Sequence, residues 1–374
     1  MYILISLTGW VDSHYQENPY YTSVAKITNE QGYDQMLGKV ARCWREEPVV
    51  YGPVWSLICK GLTSLSFGNI DIALLIFKLA SLAMYIGSIY LIYRITKKKL
   101  FMLLFALNPV VLFDGLSNVH NDLFLVFFIL LALYFLLKKK KLSLAVAAIA
   151  IATGIKYLSI LLLPFLILYR LREEKVWVRV GKALLYGLEF ISILAIGYAV
   201  YVRDFNVFAG IFLQQNKYAR SLFLGIWYLL KGNTNSIDIL KNGLLLLFIA
   251  SYSIIVLRLL FTKDEKKLCF VPLIRTYQLF LWIFTFILIT NFNSWYIMWL
   301  LPTMFWQKGR QIKMTTYISI GSILAYAISY ATMKDDETVG IPYFIFMIGI
   351  AILLYYVSMR TRSQWTKMSI GDRD

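Results

Sequence analysis

The chain has 374 residues, 59% of them hydrophobic, and a mean hydropathy of +0.64. That apolar share exceeds what a soluble domain carries and leaves room for roughly a dozen membrane spans and one large outer loop. The formal net charge of +17 sits in short loops between apolar runs, where an anionic inner leaflet accounts for it and nucleic acid does not.

In chain order, Met1–Trp10 reads as the apolar tail of a span. Ten residues cannot cross ~30 Å of hydrocarbon at about 1.5 Å per residue. Either the native start lies upstream or this first span is incomplete. A cleaved signal peptide is not expected, since the stretch has no basic n-region and no small-residue cleavage site. Residues 11–70 form the first large loop, with Asp12, Asn18-Pro19-Tyr20-Tyr21 and the charged stretch Arg42–Glu47. Tyr51-Gly52-Pro53 then opens an apolar run to Phe67, and Pro53 at a first helical position predicts a helix on or dipping into the outer surface. Cys43 and Cys59 share this loop, where a disulfide is allowed but not required.

Spans follow at 71–95, 99–118, 121–137, 141–155, 156–171 and 182–201. A second large loop, 202–242, carries Gln214-Gln215-Asn216-Lys217-Tyr218-Ala219-Arg220 and an amphipathic run, Ser221–Leu230. Further spans are 243–262, 268–290, 293–307, 315–333 and 341–358, with Cys269 expected as a packing residue. The fold class is therefore all-α: one polytopic membrane domain over 1–374 with about 11–12 transmembrane helices and amphipathic helices on the outer face.

More than half of the 38 basic residues fall in clusters at alternate loops. These are Arg94/Lys97/Lys98/Lys99, Lys138–Lys141, Arg170/Arg172/Lys175/Arg179/Lys182, Lys263/Lys266/Lys267, Lys308/Arg310/Lys313 and Arg360/Arg362/Lys367/Arg373. Short loops rich in Lys and Arg stay in the cytoplasm. Both termini are then inside, and 11–70, 202–242 and the bends near 114–122, 154–157, 291–294 and 334–340 face outward.

The densest polar constellation lies at one of those bends: Asp114, Asn118, His120, Asn121 and Asp122 between two spans. Such a group costs several kcal/mol there unless water or a polar ligand meets it, which marks a binding site. The alternative is a solvated turn with Asp122 as cap or first-turn acid. Lys156-Tyr157 is an outward basic element, either a snorkelling anchor or a point charge for a lipid phosphate. In Asn291–Pro302, Trp295 and Tyr296 are interfacial belt residues or a wall for a sugar or polyprenyl tail. Lys78 and Glu189 are intramembrane charges, either functional or paired with a neighbouring helix. No metal-ligand motif is evident, and any cofactor is left open.

The order Asn-Pro-Tyr (18–20), Tyr-Gly-Pro-x-Trp (51–55), Asn-Pro (108–109), Gly-x-x-x-x-His-Asn-Asp (115–122), Lys-Tyr (156–157) and Trp-Tyr-x-x-Trp-x-x-Pro (295–302) resembles bacterial GT-C glycosyltransferases. These are polytopic enzymes that use polyprenyl-phosphate-linked sugars. The resemblance implies transfer of a hexose, mannose-like, from such a donor to a cell-envelope glycan or lipid acceptor on the outer face of the cell membrane. It also implies an acidic catalytic base just after the first span. The family's acid usually precedes the Asn-Pro-Tyr element by more residues than Asp12 does, at or before Met1, so Asp12 stands as a substitute. His120, Asn121 and Asp122 would contact sugar or acceptor, and Lys156, Lys217 and Arg220 the lipid phosphate. Rival readings are a transporter or flippase of lipid-linked sugars, which would favour internal repeats, and a polysaccharide polymerase or ligase, which would place arginines in the outer loop.

Overall fold

A computed structural model describes residues 9–31, 45–215, 221–230, 233–332 and 340–360. In chain order the α-helices are α1 (Val24–Gln31), α2 (Pro53–Ser64), α3 (Ile70–Thr96), α4 (Lys99–Ala106), α5 (Asp122–Tyr134), α6 (Leu142–Ile155) and α7 (Leu163–Arg170). They continue as α8 (Val176–Tyr198), α9 (Ala209–Gln215), α10 (Leu222–Leu229), α11 (Thr234–Leu260), α12 (Phe270–Ile283), α13 (Gly309–Thr332) and α14 (Gly340–Arg360). No strand occurs among the described residues.

The fold is that of an all-α polytopic membrane protein. Among the described residues, four helices are long and apolar enough to cross a membrane: Ile70–Thr96, Val176–Tyr198, Asn235–Leu260 and Phe270–Leu288. Apolar residues such as Leu246, Leu247, Ile249, Ile254 and Leu257 lie exposed along α11. A row of this kind suits lipid, because a soluble helix would bury one stripe and present charge on the other. The expected spans 141–155 and 156–171 take shape as shorter apolar helices.

Two compact units form. The first comprises 1–91, 112–160 and 187–216; the second comprises 92–111, 161–186 and 217–374. In the first unit α5 and α6 make a helical hairpin, whose turn passes through Lys140 in the left-handed region (φ 55°). As Pro53 predicts, α2 forms with that proline at its first position, and it buries Trp55, Ser56, Cys59 and Thr63 while packing on α6. The packing is close at two glycines. A Cβ on Gly52 would lie 2.4 Å from the Gly154 carbonyl oxygen, and one on Gly154 would lie 2.3 Å from Val54.

The second unit packs α13 against α14, and α12 against the segment Ser294–Trp306. Phe165, Tyr252, Phe248 and Phe280 make an aromatic core between α7, α11 and α12. Arg179 is buried, and its guanidinium donates to the carbonyls of Leu171, Arg172, Glu174, Leu260 and Thr262. Helix ends leave carbonyls without intrahelical partners; here one side chain supplies donors to the ends of α7 and α11.

Several expectations need correction. The span 99–118 is not one continuous helix: α4 ends at Ala106 and a π-helical turn, Val111–Ser117, follows. Pro109 lacks an amide hydrogen, and the Asn108 Oδ1 accepts from the Val110 and Val111 amides instead, while its Nδ2 donates to Ser319 Oγ. The stretch expected as a span at 293–307 is a 3₁₀ helix, Ser294–Trp306, with Pro302 inside it. At about 2.0 Å per residue a 3₁₀ segment reaches further than an α-helix of equal length. Cys269 is exposed rather than packed, because it sits at the N-cap of α12. Cys59 is buried, and Cys43 lies outside the described residues. Glu189 accepts a hydrogen bond from Ser143 Oγ of the neighbouring α6, the paired alternative raised for that residue.

Candidate functional site

All of the polar geometry that follows lies in the first unit. Asp12 lies within a short helical turn, residues 9–13, and is 8% exposed. Lys60 Nζ of α2 donates to one oxygen at 2.8 Å, and Tyr201 OH donates to the other at 2.9 Å. An ionised carboxylate offers about four lone-pair sites, so both oxygens keep acceptor capacity beyond these two bonds. Burial pushes the Tyr201 hydroxyl well above its ordinary range, and Asp12 adds to that shift, so the phenol is a neutral donor.

A tyrosine scaffold extends from this point. The Asn18 amide donates to the Tyr201 carbonyl at 2.7 Å, and its oxygen accepts from the Tyr20 amide at 3.1 Å. The Tyr20 ring packs on Tyr201 with centroids 5.1 Å apart. The Asn-Pro-Tyr element therefore ties the first loop to residues beyond α8. Tyr20 OH and Tyr157 OH both donate to the Tyr51 carbonyl, at 3.0 and 3.2 Å, and Tyr157 OH meets Tyr198 OH at 2.7 Å. The Gly52–Gly154 contact makes this possible, since it lets the backbone beside Tyr51 approach that beside Lys156.

On the far side of Tyr51, Lys156 Nζ lies 5.9 Å from the ring centroid. The same ammonium donates to both Asp122 oxygens, at 3.0 and 2.9 Å. His120 Nδ1 stands 2.5 Å from Asp122 Oδ2. The Asp122 amide also points at Nδ1, but at 3.5 Å. The carboxylate contact is far shorter and charge-assisted, so Nδ1 carries the proton and donates to Asp122. Burial pushes the His120 imidazole below its ordinary range, with Asp122 pulling the other way. Burial likewise lowers Lys156, again opposed by Asp122.

This bend is not a solvated turn: Asp114, His120, Asn121 and Asp122 are all buried. His120 N donates to the Asp114 carbonyl at 3.0 Å, and Asn118 Nδ2 to the Asp114 carboxylate at 3.3 Å. Val119, a β-branched residue, holds φ at 53°, a conformation that costs about 1–3 kcal/mol and is held only by its surroundings. The Asn121 amide is fully buried, and neither its oxygen nor its nitrogen has a partner. That is an arrangement for a polar ligand or water.

The structure thus brings His120, Asp122 and Lys156 into direct contact and joins Tyr157 and Asp12 to one tyrosine scaffold. Trp295 and Tyr296 belong to the second unit, where Tyr296 stacks on buried Trp299 at 4.3 Å. Lys217 and Arg220 lie outside the described residues. Sequence reasoning missed Lys60 and Tyr201. Lys60 carries a readable signal, a lone cation inside the apolar run 53–67; Tyr201 carries none.

Residues 9–172 match the family model described as "Alpha-(1->6)-mannopyranosyltransferase, N-terminal domain". No curated protein and no solved structure matches the chain. The matched stretch contains Asp12, the Asn-Pro-Tyr and Tyr-Gly-Pro elements, the His120 bend and Lys156-Tyr157. An enzyme acting on a sugar donor and an acceptor follows, ahead of a transporter. Residues 9–172 fit a GT-C mannosyltransferase-like family, and the chain is a membrane-embedded glycosyltransferase.

Proposed function

We propose that the enzyme transfers a mannosyl residue from a polyprenyl-phosphate-linked donor to a glycan or lipid acceptor, at the extracytoplasmic face of the cell membrane. The alternation of basic clusters supports that orientation. The observation that carries the reading is the Asp12 carboxylate, held by Lys60 and Tyr201 at the start of the matched stretch.

Asp12 takes the proton of the acceptor hydroxyl. The acceptor oxygen bonds to the sugar's anomeric carbon as the bond from that carbon to the phosphate oxygen breaks, and the polyprenyl phosphate leaves with the electron pair. The leaving phosphate needs cations; Lys156, Lys217 and Arg220 are the residues proposed for it, and Lys60 would exchange Asp12 for that phosphate. Asn121 offers a donor and an acceptor to sugar hydroxyls. Asp122 orients His120 and Lys156, while Asp114, Asn118 and Tyr157 hold the bend; Trp295 and Tyr296, in the second unit, are aromatic candidates for contact with a lipid or sugar.

The test uses the purified full chain in proteoliposomes, given either a polyprenyl-phosphate mannose or a nucleotide sugar. Transfer from the lipid-linked donor alone is expected, and in sealed right-side-out vesicles it should reach acceptors added outside. Direct transfer from the nucleotide sugar would overturn the donor assignment.

A further inference from the structure

The second unit holds a polar group that the transfer chemistry does not use. Arg275, more than one turn into α12, donates from Nε to the Trp306 carbonyl at 3.2 Å. Its Nη2 is buried and has no partner. The next residue after Trp306 is Gln307, which is 1% exposed, and neither end of its side-chain amide has a partner. Each unsatisfied buried group costs about 1–3 kcal/mol. Three such atoms, one of them cationic, on two residues joined through the Trp306 carbonyl and its chain neighbour call for a polar ligand. Arg275 as a whole residue is only partly buried. Exposed Lys263, Lys266 and Lys267, interleaved with exposed Asp264 and Glu265, precede α12, and exposed Lys308 and Arg310 follow the 3₁₀ helix, which leaves these flanking segments net basic.

We propose that Arg275 and Gln307 form a binding site for a phosphoryl group with a neighbouring hydroxyl, as in the headgroup of an anionic glycerol phospholipid. Arg275 Nη2 donates to one phosphoryl oxygen and Gln307 Nε2 to a second. Gln307 Oε1 accepts from the hydroxyl. A free phosphate ion offers the phosphoryl part of the same chemistry. The site is built from second-unit residues and does not depend on the transfer mechanism.

The purified full chain in neutral detergent is titrated with short-chain phosphatidylglycerol, short-chain phosphatidylcholine or inorganic phosphate. Thermal midpoint and native mass spectrometry report binding. Phosphatidylglycerol should raise the midpoint saturably, and phosphatidylcholine, whose choline brings a positive charge, should not. Arg275→Gln and Gln307→Ala should each weaken binding roughly ten-fold, the size of one charge-assisted hydrogen bond. Arg310→Gln, which removes a surface charge only, should change it less than about two-fold. A matching response to inorganic phosphate supports recognition through the phosphoryl group alone, and a response to phosphatidylglycerol only supports use of the hydroxyl as well. No response in the wild type, or equal weakening by Arg310→Gln, would overturn the site and leave the buried groups to water. If Arg275→Gln does not fold, Gln307→Ala against Arg310→Gln decides the question.

Discussion

The Asp12 carboxylate meets Lys60, whose side chain is 44% exposed, whereas the Asp122 carboxylate meets Lys156 at 15% exposure and is itself fully buried. Both acids belong to one scaffold and both face a lysine. Their surroundings assign them different work. A half-exposed lysine can let go of its partner at little cost, so under the proposed mechanism Asp12 would trade Lys60 for an acceptor hydroxyl. A buried pair cannot separate without leaving charge in a medium that will not solvate it. Asp122 therefore serves by staying where it is, holding His120 and Lys156.

The largest expected effect would break this contrast at its reactive end. Asp12→Asn keeps the shape and one of the two accepting oxygens, so one of the bonds from Lys60 and Tyr201, but cannot take a proton, and transfer should fall by about 10²–10⁴-fold. Single-turnover transfer in proteoliposomes measures it, with thermal unfolding showing a folded enzyme. A variant retaining more than a tenth of wild-type rate would move the base elsewhere.

A second variant addresses the buried end. Asp122→Asn leaves the Lys156 charge without its counter-ion, which should cost about 3–5 kcal/mol. The double change Asp122→Leu with Lys156→Met should recover much of that loss. Denaturant unfolding in mixed micelles reads both. Equal stability of wild type and Asp122→Asn would show that the pair bears no such charge strain.

The smallest effect sharpens the comparison through pH. The His120 pKa is lowered in the folded protein, so as pH falls the unfolded chain binds its proton first. Stability from the neutral imidazole is complete above the ordinary histidine pKa of about 6.5 and declines as pH drops below it. The midpoint of unfolding should therefore fall between about pH 7 and pH 5.5, and His120→Gln should flatten that slope. An unchanged slope would assign the acid sensitivity to another group.

Much of the helical order was legible, because long apolar runs and basic loops follow from hydrophobic patterning alone. Pro53 announced α2, and the His-Asn-Asp element drew attention to the bend. Burial of that bend was not legible, since a polar turn between spans reads as wet until its neighbours are known. The partners of Asp12 were hidden for a related reason: Tyr201 is separated from it by 189 positions, and no periodicity records so distant a contact. Asn108 as an internal cap and the 3₁₀ course of Ser294–Trp306 likewise depend on tertiary packing, which overrides local propensity.

Arg179 has a consequence for how the protein is made. Its carbonyl partners at Leu171, Arg172 and Glu174 are already synthesised when it leaves the ribosome, but Leu260 lies 81 positions ahead. At about 5–20 residues per second, that partner emerges roughly 4–16 s later. Until then part of the guanidinium must be hydrated or lean on lipid headgroups, which keeps this loop at the membrane surface while later helices insert. The same side chain is thus a topological anchor early in synthesis and an internal tie once α11 has docked.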